Sequence, residues 1–213
     1  MFITLEGIEG CGKSTQASRL VVRLKATGIP ALLTLEPGGT RVGQGIRKIL
    51  LDARNRDLSP LAELLLYEAD RAQHVAEVIG PALKRGAWVV CDRYFDATTV
   101  YQGVARGLDP ELIGLLNERA SDGARPDITL LLDCPVHVGL GRALSRNETS
   151  SEKGQDRFER EKTAFHEAVR EGYLALAREE PGRFIVVDGA MSEDLLADRI
   201  FERLKPFLPG KGS

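Results

Sequence analysis

Gly7-Ile8-Glu9-Gly10-Cys11-Gly12-Lys13-Ser14 lies directly after a short apolar run, residues 2–5, and before a segment of helical composition. It matches G-x-x-x-x-G-K-[ST] in the strand–turn–helix setting that this pattern requires. Gly7, Gly10 and Gly12 let the backbone curl until several N–H groups face one phosphate, and the following helix adds the positive end of its dipole. Lys13 is placed to reach the β- and γ-phosphates of a nucleotide, and the Ser14 hydroxyl to bind Mg²⁺. Ile8, Glu9, Cys11 and Thr15 complete the loop that would wrap ATP. A glycine turn that only joined a strand to a helix would not need so long a pattern.

Outward from this loop, four more apolar runs recur, at residues 31–35, 88–91, 128–132 and 184–187. Glu6, Glu36, Asp92, Asp133 and Asp188 follow the five runs. Segments that are apolar throughout, rather than alternating, suit strands buried on both faces of a parallel sheet. Between them Leu61, Leu64, Leu65, Ala69 and Ala72 recur at helical spacing, as do Leu112, Leu115 and Leu116, and Leu195, Leu196, Ile200 and Leu204. Alternating strand and helix implies right-handed crossovers and a doubly wound α/β sheet, with ligands beyond the carboxyl ends of the strands.

Composition bounds the function. A chain of 213 residues with 43% hydrophobic content is the size of one domain, read here as residues 1–208 with a frayed tail, 209–213. The net charge of −2 advertises neither nucleic acid nor membrane as a partner. Cys11, Cys91 and Cys134 are far apart and form no Cys-x-x-Cys pair, so neither a disulfide framework nor a zinc site is expected. The N-terminus has no basic region before an apolar run, and no stretch approaches the roughly 18 apolar residues of a membrane span. A soluble, cytoplasmic protein is expected. The polar segment 146–155 reads as a mobile loop.

A phosphate loop says nucleotide, not reaction. A GTPase-type switch would carry Asn-Lys-x-Asp and Asp-x-x-Gly, and neither string occurs. The competing class is a phosphotransferase with a small acceptor. A phosphate monoester that attacks ATP is already anionic and needs no general base, so catalysis reduces to positioning and positive charge. Arg93 follows strand-end Asp92, Arg47 follows a glycine-rich turn, Arg71 lies on the long helix after Tyr67, and Arg142 and Arg146 share a helical face before the polar loop.

Together with the phosphate loop, Glu36-Pro37-Gly38-Gly39-Thr40, Asp92-Arg93-Tyr94, Tyr101-Gln102-Gly103 and Arg125-Pro126-Asp127 make the chain resemble the bacterial thymidylate kinases, from residue 2 to about 188. The resemblance implies the three-layer P-loop NTPase fold, a five-stranded parallel sheet flanked by helices on both faces. It also implies transfer of the ATP γ-phosphoryl group to dTMP, a Mg²⁺ requirement, a lid around residues 142–160 and a homodimer. Carried over by position, Lys13, Glu9, Arg93 and a lid arginine act in transfer, and Ser14 and Asp92 hold the metal. Arg142 joins the phosphate loop in binding ATP. Glu36, Pro37, Arg47 and Arg93 hold the acceptor and its phosphate. Tyr67 stacks on the base, Arg71 bonds a base carbonyl, Thr98 faces the base N3 edge, Gln102 joins the residues that bind dTMP, and Tyr101 fills the space of a ribose 2′-hydroxyl. Pro37 matches a proline preceded by a cis bond. Two departures stand out: Leu35 occupies a position often held by arginine, and the phosphate loop has no basic residue besides Lys13. The second points to Arg146 as the lid arginine, with Arg142 or Arg157 as alternates. His74, His137 and His166 read as ordinary surface residues of helices.

Overall fold

The computed structural model describes residues 1–149 and 156–209, with side chains given through 146 and from 156. Strands β1 (Phe2–Glu6), β2 (Ala31–Leu35), β3 (Trp88–Asp92), β4 (Ile128–Asp133) and β5 (Phe184–Asp188) form one parallel sheet in the order β2-β3-β1-β4-β5. The five strands are those read from the apolar runs. The three inner strands are buried along almost their whole length. The edge strands depart from that reading: β2 exposes Leu33 and Leu35, and β5 exposes Val186, because each has a neighbour on one side only.

Side chains alternate between the two faces of a strand. Ile3, Leu5 and Val90 therefore join one apolar cluster with Leu20 and Leu24 of α1 (Lys13–Ala26), while Phe2, Val89 and Cys91 join another with Val75, Ile79 and Tyr94. Helices α2 (Arg41–Leu51), α3 (Pro60–His74), α4 (Gly80–Lys84), α5 (Phe95–Thr98), α6 (Pro110–Ser121), α7 (Val136–Thr149), α8 (Thr163–Glu179) and α9 (Glu193–Leu204) complete the three layers. Ser59 caps α3 by accepting from the Ala62 N–H, and Pro60 sits at its first turn, where a missing N–H does no harm.

Two stretches are π-helical rather than α-helical. Residues Val75–Ile79 join α3 to α4, and Thr99–Ala105 continue α5. The wider turn brings Thr98, Tyr101 and Gln102 to one side together. The helical periods mark two faces: Leu64, Leu196, Ile200 and Leu204 are buried, but Leu61, Leu65, Leu115 and Leu195 are about half exposed or more. Of the segment 146–155 read as a mobile loop, residues 146–149 instead continue α7, and residues 150–155 lie outside the described residues, as do 210–213 of the tail 209–213 read as frayed.

Candidate active site

The loop between β1 and α1 lies at the carboxyl end of the central strand. Gly10 has φ 70°, and a Cβ there would stand 1.9 Å from the Gly139 carbonyl of α7, so only glycine fits. Lys13 folds back over the loop and donates from Nζ to the carbonyls of Gly7 (3.0 Å) and Ile8 (2.6 Å). Ser14 Oγ donates to Asp92 Oδ2 across the gap to β3. One continuous cavity of about 690 Å³ runs from this loop to the π-turn. Every site residue expected from the sequence lines it except Gly7 and Ile8, whose carbonyls hold Lys13.

At the middle of the cavity stands Arg93, in left-handed backbone conformation (φ 69°). Its guanidinium donates to Glu9 Oε1 (3.0 Å) and to the Tyr173 hydroxyl (3.3 Å), and lies 4.9 Å over the Tyr101 ring. Glu9 also accepts from the Tyr101 hydroxyl (2.6 Å) and from His166 Nδ1 (3.1 Å). Burial opposes ionisation of Glu9, but the His166 hydrogen bond and the charges of Arg93 and Lys13 outweigh it. They hold the carboxyl well below the usual range. Behind this layer, Glu6 accepts from the Tyr173 hydroxyl and the Tyr94 N–H, both at 2.7 Å. Burial, helped by the nearby Asp96 charge, pushes the Glu6 carboxyl up to about 8.

The far end of the cavity is built on Arg71, which is 1% exposed. Its Nε donates to Glu36 (3.0 Å), its Nη1 to Glu68 (2.9 Å) and Asn117 (2.8 Å), and its Nη2 to Thr98 (2.9 Å). A guanidinium has five N–H groups, so one Nη2 hydrogen remains for the cavity. The Glu36–Pro37 peptide is cis, as the resemblance implied, and Arg47 donates to the Pro37 carbonyl (3.0 Å). Burial pushes the Tyr67 phenol above its ordinary value, keeping it neutral beside the cavity.

At the opposite end, Arg142 donates to the carbonyls of Gly189 (2.8 Å) and Ala190 (3.1 Å). Arg146 pairs with Glu159 at 3.6 Å, and both line the cavity. Gly189, Met191, Ser192, Glu193 and Leu196 also border this end, and the sequence reading missed them. The signal available was Asp188-Gly189 directly after the last apolar run.

Two expectations need correction. Arg157 cannot serve as a lid arginine: it is 5% exposed and donates to the Leu50 carbonyl and to Glu63, each at 2.5 Å. His74 and His166 are not surface residues. Both are fully buried because each has a site glutamate as partner, His74 with Glu36 (2.9 Å) and His166 with Glu9. His137 is exposed, as expected. Among the described residues no group of three or more His, Cys, Asp or Glu could hold a metal, and the three cysteines are free and buried.

The profile of the family described as thymidylate kinase matches residues 5–200. A thymidylate kinase of Trichlorobacter lovleyi is 53% identical over 208 residues, covering 96% of this chain and 98% of the relative. One of Desulfosudis oleivorans is 56% identical over 206 residues, 96% of each chain. One of Geobacter sulfurreducens is 56% identical over 188 residues, 88% of each.

Proposed function

The chain belongs to the thymidylate kinase family, and we propose that its cavity holds ATP and dTMP end to end, with their phosphates meeting between Lys13 and Arg93. The reaction is that of a nucleoside monophosphate kinase: ATP and dTMP give ADP and dTDP. The observation that carries the arrangement is the continuity of one cavity from the phosphate loop, past Arg93, to Arg71.

The acceptor phosphate is itself the nucleophile, so no side chain has to remove a proton. The barrier is repulsion between two polyanions, and fixed cations lower it. Lys13 would leave its loop carbonyls for the β- and γ-phosphates. Arg93, held by Glu9, Tyr173 and the Tyr101 ring, faces the transferring group without further reorganisation. Arg146 on the lid would add a second charge there, and Arg47 would hold the acceptor phosphate. Tyr67 stacks on the base, Arg71, Thr98 and Gln102 read its edge, and Tyr101 crowds C2′. Glu9 is spent on three donors and orients the sugar end rather than acting as a base. Arg142 and the Gly189–Ala190 carbonyls border the purine end.

Ser14 and Asp92 suit Mg²⁺: both are oxygen donors at the mouth of the loop, already within hydrogen-bond reach of each other. Mg²⁺ commonly takes one or two protein oxygens and completes its octahedron with phosphates and waters. When bound, it would neutralise charge developing on the phosphates. No helix among the described residues is long and apolar enough to cross a membrane, and we place the enzyme in the cytoplasm, with neither nucleic acid nor membrane as a partner. A homodimer is supported by α3, which exposes Leu61 and Leu65 one turn apart at 48% each.

The test is ADP release with ATP, Mg²⁺ and a panel of nucleoside monophosphates. ADP should appear rapidly with dTMP, feebly with purine monophosphates, and not at all after chelation of the metal. Slow ATP hydrolysis that ignores the panel would mark a nucleotide-dependent switch instead.

A further inference from the structure

Glu63, near the start of α3, is 1% exposed and lies outside the cavity lining, yet it gathers three donors from two other segments. Its Oε1 accepts from Gln102 Nε2 at 2.7 Å, and its Oε2 from Arg157 Nη2 at 2.5 Å. Arg106 donates to both oxygens, at 3.3 and 3.4 Å. A carboxylate between two guanidinium groups accepts hydrogen bonds and has no hydrogen to give. The Gln102 amide can therefore meet it only with its NH₂ group, since the flipped amide would set two acceptor oxygens against each other. Gln102 lines the cavity, and among the described residues no side chain donates to its Oε1.

The orientation has a chemical consequence. With the amine turned to Glu63, Gln102 offers the cavity an acceptor. Thr98 and Glu36 hold Arg71 so that the guanidinium offers one N–H donor at the same end. Thymine presents N3–H and the O4 acceptor along one edge, whereas cytosine presents a bare N3 and an amino group. The polarity of the cavity fits the first and opposes the second at both atoms.

We propose that Glu63 is a positioning residue for base selection: by fixing the polarity of the Gln102 amide, it makes the acceptor end take a keto-imide pyrimidine and reject an amino pyrimidine. This rests on the acceptor end assigned above. Because Arg157, within the segment 142–160 read as the lid, holds the same carboxylate, the selecting geometry is tied to that segment as well as to α3.

The experiment compares kcat/KM for dTMP and dCMP in the wild type, Glu63→Gln and Glu63→Asp. The glutamine can meet either face of the Gln102 amide, and the aspartate keeps the charge between the arginines but withdraws it by one methylene. Wild type should favour dTMP by about 10²-fold or more, as sites built to hydrogen-bond a substrate do. Either variant should narrow that ratio about tenfold, chiefly through KM. A wild type indifferent to the two bases would sink the acceptor-end assignment itself. A discriminating wild type whose ratio survives in both variants would overturn the role of Glu63 alone. A readout on the wild type covers the case in which neither variant folds. The Gln102 side-chain amide protons should exchange slowly and hardly shift when dTMP is added, and a large shift on dTMP addition would mean that the amine faces the base.

Discussion

Left-handed backbone at a non-glycine residue costs on the order of 1 kcal/mol or more, and Arg93 adopts it at the point where the two phosphate chains would meet. The strain is held by Glu9, Tyr173 and the Tyr101 ring, which also fix where the guanidinium points. Arg146 is different: it is 60% exposed, pairs with Glu159 at 3.6 Å and lines the cavity from α7 rather than from the strand ends. Arg146→Ala should therefore lower kcat by about 10²-fold, with the KM for dTMP nearly unchanged. A rise confined to that KM would make it a ground-state binder. The ring of Tyr101, proposed to crowd the sugar, and its hydroxyl, bonded to Glu9, are separated by two substitutions. Tyr101→Ala should narrow the preference for dTMP over its ribose counterpart, which a crowded, unpaired hydroxyl sets at roughly ten- to a hundredfold. Tyr101→Phe keeps the ring and loses only the 2.6 Å bond to Glu9, so the preference should survive. Equal ratios in wild type and the alanine variant would show that sugar selection lies elsewhere. Glu6 supplies a pH signature. Its folded carboxyl binds its proton up to about 8, against 4.5 for the ordinary group, so the folded state holds more protons than the unfolded state between those values. Stability must then fall as pH rises through that window. Glu6→Gln, which cannot ionise, should show a flatter melting temperature from pH 4.5 to 8 than wild type; parallel curves would contradict the shift. Single residues were legible where a motif named them, as at Lys13, Ser14 and Arg93. Glu63, His166 and Tyr173 were not, because their roles come from partners far away in the chain.

At the scale of elements, the strands were legible because parallel burial demands uninterrupted apolar runs, and all five runs became strands. The π-turn at Thr99–Ala105 was not, since its sequence differs in no simple way from an ordinary helix. Its effect is large: it sets Thr98, Tyr101 and Gln102 on one wall of the cavity. Helix α3 showed the opposite ambiguity. Its apolar period is wider than the core can cover, with Leu64 fully buried while Leu61 and Leu65 stay 48% exposed. The adjacent α2 exposes Val42 and Ile49, seven residues apart on one side. Exposed apolar residues on two helices that pack together suit a second copy of the chain. Leu65→Glu should convert a dimer to a monomer in light scattering, since a charge buried in an apolar contact is strongly disfavoured. A wild-type chain that scatters as a monomer would contradict the dimer.

Over the whole molecule, the fold works as a frame that brings the ends of β1, β3 and β5 to one cavity. β1 supplies the phosphate loop, β3 supplies Asp92 and Arg93, and the loop after β5 borders the donor end with Arg142. The acceptor end comes from α3 and the π-turn, on the other side of Arg93. The sequence order of these pieces made the frame readable, whereas the joint that Glu63 makes between α3, the π-turn and the lid segment depended on folding to exist. The central claim is that both substrates occupy this cavity at once and that the phosphoryl group passes directly between them. Initial rates measured over a grid of ATP and dTMP concentrations test it most directly. Direct transfer in a ternary complex predicts double-reciprocal lines that intersect, while parallel lines, the mark of a phosphorylated enzyme that releases ADP before it takes dTMP, would contradict it.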